Sequence, residues 1–312
     1  MANFACSDLN KNLIKTLTEG KSKMSTHGQS CGLVISREGP AAKAQFWVLL
    51  KRNLLYSARN PGVIFIRLVM YSMLAVLMGL MFWDNGNKTT DTAIQARVSS
   101  LFFVFAFMVF MSISVLPFYI QDKAVYDRER MNRDYELLPF VTAQFISTVP
   151  GIFLIALAAS GIVVGMMSLG GFPMYLMLLF MSLLIAEGFM SLVALIVPQF
   201  IIGIALAAGV YGMFMLCEGF FQIKSEIPDY LVWIYYAGFH TYAFRAAMHN
   251  EFHDEGDFED ALSPNMASGE AVLEYYDMDD VDMTNDIMVL LGYVAAFQCL
   301  VYYVTSRNMG QR

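Results

Sequence analysis

Residues 145–167 read FISTVPGIFLIALAASGIVVGMM, a run with no charged side chain. A helix rises 1.5 Å per residue, so a run of this length reaches across the roughly 30 Å hydrocarbon layer of a bilayer. Lipid offers no hydrogen-bond partner to a free peptide group, which makes a helix the one conformation in which such a segment can cross alone. Five further runs of the same character lie at about 63–83, 98–120, 174–197, 200–223 and 287–305. The sequence therefore predicts an all-α membrane protein with six transmembrane helices.

Composition points the same way. The chain is 57% hydrophobic and 15% charged, against about 45–50% and 25% in soluble domains, and the excess must face lipid. The net charge of −7 comes largely from one acidic, loop-like stretch, Asp254 to Asp286, and no basic patch marks a nucleic-acid partner. Cys6, Cys31, Cys217 and Cys299 have neither disulfide-framework nor metal-site spacing, so no metal site is expected. Residues 1–40 read as a polar linker or tail and hold no apolar run suited to a cleaved signal, leaving the first span to direct insertion. Residues 41–312 read as one six-span membrane domain.

Between the spans the polar segments give direction. Fifteen Lys and Arg fall on the side holding residues 1–61, the loop after the second span and the C-terminus, and four on the other. Positive charge is retained on the cytoplasmic side, so both termini are expected there. Asn87-Lys88-Thr89, the one glycosylation sequon, then falls in an outside loop, with Asn87 the candidate acceptor. Ala41 to Tyr56 places Phe46, Trp47, Leu49, Leu50 and Leu54 apart from Lys43, Lys51 and Arg52, a pattern suited to an N-terminal interfacial helix. Gln121 to Thr142 is dense in both charge signs and predicts a cytoplasmic loop of one or two helices. Ile227 to Phe252 alternates aromatic and small residues without making a clean span, which suits an outer re-entrant helical segment.

Three further features carry chemistry. Gly20-Lys21-Ser22 resembles the end of a phosphate-binding loop, but Lys15 stands where that loop needs its first glycine. No nucleotide-binding domain, catalytic residue or bound cofactor is therefore expected in this chain. Glu187 lies inside a span, where an ionised carboxylate is costly unless paired or wet; it either lines a substrate or proton path or holds helices together. Glu218, nearer the boundary, is expected to be solvated. Gly161 and Gly165 form a GxxxG pattern that permits close helix approach, within the bundle or between two copies.

The order of elements resembles the membrane half of ATP-binding-cassette half-transporters of the G subfamily, the white/brown-complex type. The residues carrying the resemblance are Lys51-Arg52-Asn53, Arg59-Asn60-Pro61, Ile94-Gln95-Ala96-Arg97, the run Asp122-Lys123-Ala124-Val125-Tyr126-Asp127-Arg128-Glu129-Arg130, Tyr135 and Pro150. Ile196-Val197-Pro198, Gly219-Phe220-Phe221, Ile227-Pro228, Tyr242-Ala243-Phe244 and Asn250-Glu251-Phe252 continue the set over about residues 41–305. Within the subfamily the chain looks most like plant half-size members that export cuticular lipids.

That resemblance implies a lipid exporter at the plasma membrane, working by alternating access as a homo- or heterodimer with another half-transporter. ATP and Mg would sit on a nucleotide-binding domain outside this chain. It further implies that Asp122, Glu129 and Arg130 couple to that domain, that Phe110 and Met215 line a central substrate cavity, and that Phe220 and Phe221 plug its outer exit. Glu218 ahead of the plug and the lack of outer-loop cysteines depart from the family pattern. The alternative is a truncated, non-transporting partner that regulates assembly or trafficking of full half-transporters.

Overall fold

The structure, a computed structural model, describes residue 15 and residues 41–309 apart from 61, 63, 132–134, 254, 259 and 280. Residues 1–40, the expected polar tail, lie outside it but for Lys15, and the described residues from 41 onward form one unit. Among the described residues all regular elements are helical. The first, α1 (Ala42–Arg59), forms where the interfacial helix was expected. It is followed by α2 (Phe65–Met81), α3 (Asp91–Phe110), a 3-10 stretch (Met111–Val115) and α4 (Leu116–Met131). Next come α5 (Leu137–Met167), α6 (Phe172–Ile196), α7 (Phe200–Leu216), α8 (Val232–Ala237), α9 (Phe239–Phe252), α10 (Gly269–Tyr275) and α11 (Met283–Met309).

Five of these helical segments are long and apolar enough to cross a membrane: α2, α3 continued through α4, α5, α6 and α11. The chain is thus an all-α, multi-pass membrane protein. The sixth expected span, 200–223, is helical only over the 17 residues of α7, about 26 Å at the usual rise. It ends because the chain turns at Gly219, whose φ of +103° suits glycine and would strain any other residue. Boundaries move elsewhere too. The third span begins at Leu137, inside the expected charged loop, because that loop is two helix ends: α4 carries the second span on to Met131, and α5 starts six residues later.

Each outer helix buries one stripe and leaves the rest for lipid. In α2 the buried stripe is Arg67, Tyr71, Ala75 and Gly79 at four-residue spacing, and a methyl on Gly79 would collide with Met166 of α5. In α7 it is Gly203, Ala207 and Tyr211. The inner helices α3 and α6 are buried on most sides. Phe102, Phe105, Leu178, Ile185, Met190 and Phe244 belong to the main core.

One end of the bundle gathers α1, the tip of α4 and the start of α5, with Leu49, Leu50, Tyr126, Tyr135, Leu137 and Val141 as a separate small core and Val301 of α11 against it. This is the charged end. The apolar residues of α1 do not share one face as expected: Leu49 and Leu50 turn inward, while Trp47 and Leu54 remain exposed. At the opposite end, the loop end, Gly86 presses on the Ser168 carbonyl so closely that no side chain fits. Gly161 and Gly165 of the GxxxG pattern have nothing within reach of an added methyl. They face out of the bundle, so packing within it does not explain them.

Candidate functional site

The aromatic residues of α3 recur at helical spacing, and those at 103, 107 and 110 share a face. Phe103 stacks on Phe107 with centroids 5.8 Å apart, and Phe107 and Phe110 stay over a third exposed. The opposite side of α3 turns Phe102 inward, where Phe220 stacks on it at 4.3 Å and 14°. Phe220 also meets Phe244 of α9 edge-on at 6.2 Å. Phe221 touches Phe102 at 5.1 Å but is 56% exposed. The two residues of the expected plug therefore differ: Phe220 is the anchor, and Phe221 is the face left open. Met215 extends the inward stripe of α7 and packs on the core, whereas Phe110 stands on the uncovered face of α3. The sequence reading named Phe110 but not Phe103 and Phe107, although their spacing gave the signal.

The 3-10 stretch joins α3 to α4 without a loop. Its Ser112 hydroxyl lies 3.0 Å from that of Tyr211, which donates to the Ala186 carbonyl at 3.2 Å, tying the stretch to α7 and α6. Below it, two of the three expected coupling residues bond to neighbouring helices of the chain. Asp122 accepts from Gln144 of α5 at 3.4 Å. Glu129 receives Arg52 of α1 on both oxygens at 2.7 and 2.8 Å and the Tyr135 hydroxyl at 2.7 Å, while the Arg52 guanidinium lies 6.0 Å from the Tyr135 ring centre. Burial and the bond to Glu129 hold the Tyr135 phenol well above its ordinary pKa, with Arg52 opposing. The Arg130 side chain lies outside the described residues. What the α4 tip presents to solvent is another set, Gln121, Ala124, Val125 and Arg128, on one helix face.

Glu187 is paired. Its carboxylate takes two bonds from Arg67 of α2, at 3.2 and 2.7 Å, and the Tyr119 hydroxyl of α4 at 3.4 Å. Both charges are buried. Of the two roles open to Glu187, holding helices together is the one this geometry performs. Glu218 is not solvated as expected: it is fully buried and neither oxygen has a hydrogen-bond partner among the described residues, because the turn at Gly219 folds it inward.

The loop end has its own polar centre, missed by sequence reasoning except as part of the Ile94-Gln95-Ala96-Arg97 and Asn250-Glu251-Phe252 stretches. Arg97, 1% exposed, bonds both oxygens of Glu255 at 2.7 and 2.6 Å and the carbonyls of Asn85, Gly86 and Lys88. It also lies 3.6 Å from Glu251. Glu251 accepts from the Gly170 amide at 3.0 Å, and burial pushes its pKa up to about 7 against the pull of Arg97. Both sequon side chains are engaged nearby: the Asn87 amide donates to Asp84 at 2.6 Å, and Thr89 donates to Asp260 at 2.8 Å.

Residues 44–252 match the family described as ABC-2 type transporter. Among curated relatives, ABC transporter G family member 11 of Arabidopsis thaliana is 31% identical over 92% of this chain and 42% of its own length. ABC transporter G family member 1 of Petunia hybrida is 31% identical over 84% of this chain and 41% of its own. ABC transporter G family member STR2 of Medicago truncatula is 28% identical over 83% and 36%. The chain spans about two fifths of the length of these relatives. With its helices long enough for a bilayer and an ordered match over most of its length, the chain belongs to the ABC-2 type transporter family, as a membrane domain of the kind found in plant G-family ABC transporters.

Proposed function

We propose that the chain forms half of the membrane pathway of an ATP-driven exporter of lipids, sterols or other amphiphiles. Two such halves, identical or different, enclose the path, and nucleotide-binding domains binding ATP and Mg drive it by alternating access. The charged end faces the cytoplasm, where positive residues concentrate, and the plasma membrane is the site of action.

The observation that carries this reading is the single rod of α3, the 3-10 stretch and α4. One end of the rod holds the half-buried Phe103 and the exposed Phe107 and Phe110 together with the proposed plug; the other ends in the open face at Gln121, Ala124, Val125 and Arg128. Flat aromatic rings grip apolar molecules without polar matching. Packed elements that have two arrangements can pass a displacement from one end to the other. The α4 face replaces Asp122 and Glu129 as the proposed contact with the nucleotide-binding domain, since those two carboxylates already serve α5 and α1.

The test is reconstitution in liposomes. Joined to a nucleotide-binding domain from a G-family relative, the chain is expected to raise ATP hydrolysis in response to amphiphiles, while the chain alone hydrolyses none. Hydrolysis by the purified chain alone, or a joined protein whose hydrolysis no amphiphile alters, overturns the reading.

A further inference from the structure

Helix α1 has 18 residues, with Lys43, Lys51, Arg52 and Arg59 among them and no Asp or Glu. Its inner side is occupied. Leu49 and Leu50 enter the small core at the charged end, Gln45 accepts the Glu136 amide at 2.9 Å, and Arg52 is held by both oxygens of Glu129. Its outer side has no such partners. Trp47 is 67% exposed, and Val48, Leu54 and Leu55 are exposed with it. Lys43, Lys51 and Arg59 are exposed as well, and among the described residues none of the three is in an ion pair or side-chain hydrogen bond.

The free cations and the bare apolar side chains share one side. At 3.6 residues per turn, positions 47, 51, 54 and 55 fall within about 100° of helix surface, with 43 just beyond one edge and 59 just beyond the other. Water suits the cations but not a row of bare Trp, Val and Leu. The hydrocarbon layer suits the row but not an unpaired ammonium. The boundary between headgroups and acyl chains takes both, with rings and aliphatic stems below and charged ends level with the phosphates. The apolar side chains would seat on any bilayer, whereas the cations select. A zwitterionic headgroup brings a cation with each phosphate, and this face holds no carboxylate to receive it. An acidic phospholipid brings net negative charge alone.

We infer that the outer face of α1 binds acidic phospholipid, with Lys43, Lys51 and Arg59 holding the headgroup phosphates and Trp47, Val48, Leu54 and Leu55 lying among the upper acyl chains. The inference stands apart from the export reading, because it needs neither ATP nor a second half. It also needs no orientation in the membrane, since a nanodisc offers the same lipid at both faces.

The experiment places the full chain in nanodiscs of phosphatidylglycerol and phosphatidylcholine in equal amounts, with bromine on the acyl chains of one lipid or the other. Trp83→Phe and Trp233→Phe leave Trp47 as the single tryptophan. Bromine on either lipid is expected to quench Trp47, and bromine on phosphatidylglycerol to quench it more, by an excess that corresponds to about fivefold local enrichment, the worth of one cation at an acidic surface. Lys43→Gln, Lys51→Gln and Arg59→Gln together should remove the excess and keep the quenching, because the apolar side chains stay. Lys43→Arg, Lys51→Arg and Arg59→Lys together should keep both. A thermal melt of each variant establishes that the bundle is intact. Equal quenching by the two lipids, an excess that survives the three Gln substitutions in a folded protein, or no quenching by either, as a covering protein segment would give, would overturn the assignment.

Discussion

Arg67 and Glu187 stand 120 positions apart and meet inside the bundle. Hydropathy marks Glu187 as anomalous because it interrupts an apolar run, yet no spacing rule names its partner; only the packing of α2, α4 and α6 does. Removing one member of a buried pair strands the other charge, at a cost of about 3–5 kcal/mol, whereas replacing both with apolar residues is often neutral. Glu187→Met is thus expected to lower the unfolding free energy in detergent by about that amount, and Arg67→Met with Glu187→Met to restore most of it, giving a large coupling energy in the double-mutant cycle. A second prediction concerns pH. Glu251, with its pKa raised to about 7 by burial, holds a proton in the folded protein that the unfolded chain releases above about 4.3. Stability then falls as pH rises between those values. Glu251→Gln should flatten that slope in thermal melts between pH 4 and 8, though Gly170 keeps an acceptor.

Whole helices were far more legible than single contacts. Five of the six apolar runs are helices of crossing length, since lipid dictates both their conformation and their reach. The sixth, α7, is a shorter helix than expected because apolar composition hides a turn. Residues 217–223 keep a greasy character, but Gly219 reverses the chain and docks Phe220 against Phe102. The Phe220-Phe221 pair was legible, but the difference between its two rings was not, because neighbouring phenylalanines look alike until one ring is stacked and the other left bare. Phe220→Ala is expected to cost about 3 kcal/mol, the usual loss for a packed ring, read by unfolding in detergent. Phe221→Ala should leave stability within about 1 kcal/mol and instead raise passive leak of an amphiphilic dye in liposomes. At the other end of the rod, Val125, 49% exposed, lies on the face proposed to meet the motor. Val125→Asp should reduce ATPase stimulation at least about tenfold if that residue is central to the contact, with the melt unchanged. Glu129→Gln should instead loosen α1 from α4 and lower the melt.

At the scale of the molecule, the fold class could be read from hydropathy, whereas the faces that meet other bodies could not. Apolar side chains toward lipid, toward a second protomer and toward cargo share one composition, so Gly161 and Gly165 and the Phe103, Phe107, Phe110 stripe become assignable only when the interior is known. The five residues Met111–Val115 carry one more implication. A 3-10 turn advances 120° and about 2 Å per residue against 100° and 1.5 Å in an α-helix. Over that length the difference is about 100° of twist and 2.5 Å of extension. Were the segment to relax to α geometry, the lower half of the rod would rotate by about a quarter turn while retracting, as a bolt does when its thread is followed. Torque applied at the Val125 surface and translation of the rings above it would then be two components of one movement.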